Sequence, residues 1–193
     1  MKNICVFGAA RNQLEERYFA CARRVGELLA ENSLGMVFGA GGEGLMGAAA
    51  RGVHSRGGRV TGVIPELLNQ PGVAYPRCDE LIVTPTMHQR KATMERLSDG
   101  YIVLPGGLGT LEEMLEVLTL NQLGYLCAPV AVLDLDGFYA PVLRQFETCI
   151  AERMLDTEAL RFCQSVPGPQ EAVDYLLRFA AKATGEQAKD MMD

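Results

Sequence analysis

Ten residues in the middle of the chain have the composition of a phosphate-binding turn. Residues 104–113 read LPGGLGTLEE and follow a short apolar run. Three glycines lie within four positions: Gly106, Gly107 and Gly109. They allow a sharp turn and expose backbone N–H groups at the positive end of the next helix, where the Thr110 hydroxyl adds a donor. The segment predicts a nucleotide phosphate site without a lysine, since GxxxxGK[ST] occurs nowhere in the chain.

Two interpretations of Thr110 and Glu113 are open from spacing alone. Thr-x-x-Glu before an apolar run is the pattern of a capping box, in which Glu113 only satisfies a backbone donor. If Thr110 instead binds phosphate, Glu113 faces the same ligand with its ionised form favoured by the helix terminus, and it becomes a candidate catalyst. Glu112 points about 100° away around the helix. Glu116, one turn beyond Glu113, either supports it or is solvated.

A basic segment, MHQRK at 87–91, begins the helix after the preceding β-rich run. This helix opens at the same edge of the sheet as the glycine-rich turns, so Arg90 can reach their ligand. The competing interpretation pairs Lys91 with Glu95 at i, i+4, leaves Arg90 solvated and makes TxxQ at 86–89 another capping box.

A second glycine-rich turn, GAGGEGLMG at 39–47, contains GxGxxG in two overlapping registers. The dinucleotide fingerprint normally follows the first strand, where this chain has GAAR at 8–11. The turn therefore disfavours a nicotinamide-dependent oxidoreductase. Its glycines either bring backbone N–H groups close to a ligand or only permit tight turns and close packing.

Short apolar runs alternate with longer helical patterns, which predicts βαβ units and a parallel sheet. The predicted strands cover residues 4–7, 35–38, 59–64, 80–84, 101–104, 130–133 and 162–166. The predicted helices cover residues 14–29, 45–55, 87–97, 111–123, 138–154 and 170–181. The expected fold is α/β, a Rossmann-like doubly wound parallel sheet with helices on both faces.

Composition and charge limit the function classes. The 193 residues are 48% hydrophobic, which predicts one Rossmann-like domain over 1–181 followed by a polar, frayed tail over 182–193. A net charge of −6 without a basic run disfavours nucleic acid as a partner. The N-terminal apolar run is too short for a signal peptide or a membrane span, so we expect a cytoplasmic protein with no membrane partner. The cysteine and histidine spacings predict no metal site.

Three segments in this order resemble the LOG ("Lonely Guy") family: GGxGLMG at 41–47, MHxRK at 87–91 and PGGxGTxEE at 105–113. The likeness runs from residue 4 to about 179 and includes GVIP at 62–65 and LDLDGFY at 133–139. Members of that family are cytokinin riboside 5′-monophosphate phosphoribohydrolases, often mislabelled as lysine decarboxylases.

The resemblance implies a homodimer with two sets of site residues. The residues implied to bind the phosphate are Gly106, Gly107, Gly109 and Thr110, and the residues implied to be catalytic are Arg90 and Glu113. The residues implied to contact the base and the ribose are Gly41, Gly42, Met87 and Lys91. The family usually has a CGSS-like turn after the first strand and YGGG after the second, where this chain has FGAA and FGAG. This chain lacks the side-chain hydroxyl groups of those family turns. Their absence affects the implied contacts with base and ribose and does not affect Arg90 or Glu113.

The implied activity is hydrolysis of the N-glycosidic bond of an N6-substituted adenosine 5′-monophosphate, a small-molecule substrate, with no cofactor. The alternative is a non-catalytic nucleotide or cofactor carrier on the same fold, as in related molybdenum-cofactor carriers. A decarboxylase would need a pyridoxal-phosphate lysine, and Lys91 has no recognisable context for one.

Overall fold

The computed structural model describes the backbone of residues 1–190 and the side chains of residues 1–182, and it contains one sheet of seven parallel strands. The strands are β1 (Asn3–Phe7), β2 (Gly35–Phe38), β3 (Val60–Pro65), β4 (Glu80–Thr84), β5 (Gly100–Val103), β6 (Val130–Leu133) and β7 (Cys163–Val166). Their order across the sheet is β4-β3-β2-β1-β5-β6-β7. The α/β, doubly wound prediction is confirmed, and each predicted strand is present.

Six α-helices connect or follow the strands. They are α1 (Glu16–Glu31), α2 (Gly44–Ser55), α3 (Met87–Leu97), α4 (Leu108–Gln122), α5 (Ala140–Ala151) and α6 (Pro169–Asp190). The bounds of two helices differ from the prediction in ways that affect the site and the C-terminal segment. Helix α4 begins three residues earlier than expected, and α6 continues past 181 through nine of the twelve residues of the segment expected to fray. The remainder of that segment, 191–193, lies outside the described residues.

The helices cover both faces of the sheet and form two apolar layers. Side chains alternate along each strand, so Ile4 and Val6 of β1 pack with α1, α2 and α6, whereas Cys5 and Phe7 pack with α3 and α4. Strands buried on both faces are typical of parallel sheets. Among the described residues, no helix is both long enough and apolar enough to cross a membrane.

The strand order reverses next to β1. From β1 the chain adds β2, β3 and β4 on one side and then returns to place β5 on the other side of β1. The loops after β1 and β5 must therefore diverge to opposite faces and leave a crevice between them. Ligands of doubly wound sheets bind at this kind of switch point.

Candidate active site

A cavity of about 630 Å³ opens at the switch point between β1 and β5. Small-molecule sites in proteins typically enclose about 300–1,000 Å³. The cavity is lined by Gly8, Ala9, Ala10, Arg11, Leu14, Tyr18, Leu45, Met46, Arg90, Pro105, Gly106, Gly107, Gly109, Thr110, Glu113 and Phe138. The structure thus brings together all six residues predicted for catalysis and phosphate binding.

Residues 104–110, here called the PGG turn, lead from β5 into α4 and leave the start of that helix open. Gly107 is the N-cap and makes no side-chain cap, and the first backbone bond of the helix runs from Leu111 N–H to the Gly107 carbonyl at 2.9 Å. The preceding N–H groups of the first turn have no partner among the described residues, as expected at a helix N-terminus. A methyl group at Gly107 or Gly109 would meet nothing within 4 Å. The turn therefore offers donors and space to an anion.

Thr110 lies in the first turn of α4 with its side chain at the cavity. Thr110 is only 4% exposed, and its hydroxyl makes no hydrogen bond within the described part of the chain. A Cβ atom at Gly106 would lie 2.1 Å from the Thr110 Oγ1, so glycine is required there. Because the helix begins at Leu108, Thr110 is too far inside it to be the N-cap, and the capping-box interpretation is excluded.

Arg90 and Glu113 form an ion pair on the cavity wall, with Nη1 of Arg90 3.1 Å from Oε1 of Glu113. Each side chain is only 11% exposed. Arg90 also donates from Nε to the Val63 carbonyl at 3.2 Å, which fixes the plane of the guanidinium. A Cβ atom at Gly39 would lie 1.7 Å from Nη2 of Arg90, so this glycine makes room for the charge.

Burial and charge act in opposite directions on the Glu113 carboxyl. Burial raises its pKa, and the ion pair and hydrogen bond with Arg90 lower it, with a net pKa above the ordinary glutamate value. Glu112 adds a further upward effect and Lys91 a downward one. A carboxyl with a perturbed pKa beside a cavity is a candidate for acid–base chemistry.

Lys91 points away from the cavity and joins α3 to α4. Its Nζ contacts Glu112 and lies 2.9 Å from Oε2 of Glu116, so the sequence-based pairing with Glu95 is wrong. Burial alone would lower the pKa of Lys91, but the hydrogen bonds with the two glutamates outweigh it and raise the pKa. The cap at Thr86 is observed, because its Oγ1 accepts from the Gln89 N–H at 3.2 Å.

The other residues predicted to contact base or ribose also lie off the cavity wall. Gly42 N–H donates to the Val73 carbonyl at 3.0 Å, and Gly41 forms an isolated antiparallel bridge with Ala74. Met87 places its sulfur 3.3 Å from Nη1 of Arg90 on the helix surface. The geometry gives no support to direct ligand contacts by Gly41, Gly42, Met87 or Lys91, because none of the four lines the cavity.

The start of α2, which follows the GxGxxG turn, is already occupied by protein groups. Gly44 N–H donates to Oδ1 of Asn12 at 2.9 Å, and Leu45 N–H donates to the Ala9 carbonyl at 2.8 Å. A dinucleotide pyrophosphate would need these N–H groups free. The structure therefore favours the PGG turn as the anion site, in agreement with the sequence-based preference.

Sequence reasoning considered the turn after β1 only for its missing hydroxyls and named no site residue there. Residues 8–15, here called the first-strand loop, contribute Gly8, Ala9, Ala10, Arg11 and Leu14 to the cavity wall. Tyr18 and Phe138 meet edge to face, with ring centroids 6.3 Å apart, and form an apolar wall. The loop follows β1 at the switch point. Once β1 and β5 are known to be neighbouring strands, this position predicts that the loop lines a ligand site.

Comparison with known proteins places the chain in a family. A profile described as "Possible lysine decarboxylase" matches residues 46–176. The cytokinin riboside 5′-monophosphate phosphoribohydrolase LOG7 of Arabidopsis thaliana is 39% identical over 175 residues, which cover 91% of this chain and 81% of the relative. The enzyme of the same name, LOG, from Oryza sativa subsp. japonica is 39% identical over 172 residues, 89% of this chain and 71% of the relative. The chain belongs to the LOG family.

Solved structures show the same fold. The molybdenum cofactor carrier protein of Chlamydomonas reinhardtii superposes with a TM-score of 0.73 at 20% identity, over 93% of this chain and 98% of that one. The molybdenum cofactor binding protein of Rippkaea orientalis gives 0.70 at 19% identity, over 93% and 97%. At this identity the likeness establishes the Rossmann-like architecture.

We predict that Thr110→Val weakens binding of ribose 5-phosphate about tenfold, because one buried donor to the phosphate is lost while the side-chain shape is kept. Isothermal titration calorimetry measures the affinity. Thr148→Val on the exposed side of α5 is the matched control, since the Thr148 hydroxyl donates to the Arg144 carbonyl. Equal affinities in the two variants would contradict an anion role for Thr110.

Proposed function

We propose that this chain hydrolyses the N-glycosidic bond of N6-substituted adenosine 5′-monophosphates and releases the free base and ribose 5-phosphate. The observation that carries the proposal is the Arg90–Glu113 pair on the wall of a cavity that also contains the open start of α4. The named activity of relatives at 39% identity supports the same assignment.

The placement of the groups matches the charge changes of the reaction. Cleavage of an N-glycosidic bond passes through an oxocarbenium-like sugar, and a carboxylate near the anomeric carbon stabilises this positive charge. With the phosphate at the PGG turn, Glu113 lies one turn further along the same helix and on the same cavity. Glu113 orients and deprotonates the attacking water, whose hydroxyl joins the sugar; the departing base takes a proton from solvent water, and Glu113 then returns its own proton to solvent.

Arg90 works electrostatically in this scheme. A guanidinium with a pKa above about 12 is a poor proton donor. Its bonds to the Val63 carbonyl and to Glu113 instead hold the carboxylate in one position. Its positive charge also stabilises negative charge on the departing base.

Two rival activities fit the geometry less well. A carrier that binds a nucleotide without turnover has no need for a buried acid–base pair beside the ligand. A pyridoxal-phosphate decarboxylase needs a lysine at the ligand, and no lysine lines the cavity in the part of the chain that the structure describes. Lys91 is held as an ammonium by two glutamates, which disfavours formation of a Schiff base.

A homodimer is part of the proposal because α4 has an uncovered apolar side. Leu108, Leu115, Leu123 and Tyr125 are 87%, 44%, 63% and 78% exposed. The first three recur on one side of the helix, opposite the buried Met114 and Val117. An exposed apolar stripe of this kind is typical of a protein interface, and a second copy of the chain offers the same surface.

We predict that Leu115→Lys lowers the mass in solution from twice the 21.0 kDa of the chain to a single copy, because it places a charge in the apolar contact. Sedimentation equilibrium measures the mass. Met154→Lys is the control, since Met154 is 80% exposed on another surface. A parent protein that sediments as a monomer would exclude the homodimer.

We predict that Glu113→Gln lowers kcat/KM for N6-isopentenyl-AMP by about 10²- to 10⁴-fold, because the amide cannot deprotonate water or balance the sugar cation. Glutamine keeps an acceptor for Arg90 and so preserves the fold. Chromatography of free base and ribose 5-phosphate gives the rate. Glu112→Gln, which removes the same charge outside the cavity, should retain a rate close to that of the parent. No cleavage of AMP or N6-isopentenyl-AMP by the parent would overturn the proposed function.

We predict that the Glu113 carboxyl titrates above 4.5 and that Arg90→Met raises its pKa further, since burial remains while the positive charge is lost. The ionised base is then depleted as the pH falls towards this raised pKa, so the acid limb of activity moves to higher pH. Carbon-13 NMR of side-chain carboxyls measures the titration. Glu31, whose pKa is lowered by its hydrogen bond with Arg24, is the internal reference. A Glu113 pKa at or below 4.5 would contradict the prediction.

A further inference from the structure

Arg11 is an unpaired cation at the cavity. Arg11 and Arg90 both line it, but Arg90 is paired with Glu113. Within residues 1–182 the Arg11 side chain makes no hydrogen bond or ion pair, whereas the nearby Arg17 contacts Glu15 and Asp136. Glu113 is the only carboxylate among the lining residues, so Arg11 leaves the cavity with an uncompensated positive charge.

The topology sets the first-strand loop, which contains Arg11, beside the PGG turn. The first-strand loop follows β1 and the PGG turn follows β5, and these two strands are neighbours at the switch point. Ala9 N–H donates to the Pro105 carbonyl at 3.1 Å, which ties the two loops together two residues before Arg11. Five residues of this loop line the cavity, and Arg11 is the one among them with a polar side chain; the others are Gly8, Ala9, Ala10 and Leu14.

We propose that Arg11 is a substrate-binding residue that contacts the 5′-phosphate held at the PGG turn, and this rests on the proposed function in that the ligand is a nucleoside 5′-monophosphate. The start of α4 supplies the equivalent of about half a positive charge. A phosphate dianion needs more, and a guanidinium adds a full charge and a planar set of N–H donors that match phosphate oxygens.

This role makes Arg11 a determinant of specificity for nucleotides over nucleosides. The phosphate is remote from the glycosidic bond, which lies at the Arg90–Glu113 pair in the proposed reaction. Binding energy from Arg11 is therefore present in both the ground state and the transition state. Its loss raises KM and leaves kcat nearly unchanged.

The test compares Arg11→Gln with Arg59→Gln. Arg59 precedes β3 at the opposite edge of the sheet and pairs with Glu80, so the control removes the same charge far from the cavity. Arg11→Gln should raise KM for AMP about 10- to 100-fold with kcat within about threefold of the parent. Arg11→Lys should recover part of this loss because it retains the charge without the planar donors.

Product inhibition separates a phosphate contact from a general change in the cavity. The inhibition constant of ribose 5-phosphate should rise by a similar factor in Arg11→Gln, and that of adenine should stay within about twofold. If Arg11→Gln matches Arg59→Gln in KM and in inhibition by ribose 5-phosphate, the proposal is overturned. A loss of kcat at unchanged KM overturns it as well.

The proposal can fail independently of the proposed function. If the parent does not cleave AMP, the function fails, but calorimetric binding of ribose 5-phosphate still tests Arg11. An affinity about tenfold or more weaker in Arg11→Gln than in Arg59→Gln supports the phosphate contact. Equal affinities in the two variants overturn it, whether or not the parent is an enzyme.

Discussion

The ion pair between Arg90 and Glu113 is the interaction on which the rest of the site depends. Taking two charges out of water costs several kcal/mol per ion, about as much as their attraction returns, unless further hydrogen bonds complete the arrangement. Here the Val63 carbonyl accepts from Arg90, and the bare backbone at Gly39 gives the guanidinium its space. The pair therefore links β2, β3, α3 and α4 at one point of the cavity wall.

Helix α3 illustrates how strongly the site relies on polar contacts. Among its residues only Met94 is buried, so apolar packing alone anchors the helix poorly. The adjacent cations Arg90 and Lys91 reach across to carboxylates of α4, one at the cavity and the other behind it. This double connection fixes the two helices relative to each other, and it engages the Lys91 ammonium with Glu112 and Glu116.

The two glycine-rich turns of the chain have different roles because their helix starts have different partners. The N–H groups that open α2 are used by Asn12 and Ala9, so that turn closes on the first-strand loop. The N–H groups that open α4 have no partner in the described part of the chain, and this helix start lines the cavity together with Thr110. Similar glycine patterns thus yield one packing junction and one open helix start, which is the proposed anion site.

The sequence by itself determined the secondary-structure elements and the pair of residues proposed to be catalytic. The spacing of apolar residues reflects local backbone geometry and burial, so it located every strand, and the motifs around Arg90 and Glu113 marked the cavity. Only the tertiary structure decided the first residue of α4, the partners of Lys91 and the exposure of Arg11 to the cavity. These features depend on β1 lying beside β5, two strands about a hundred residues apart in the chain, and on contacts that no local pattern encodes.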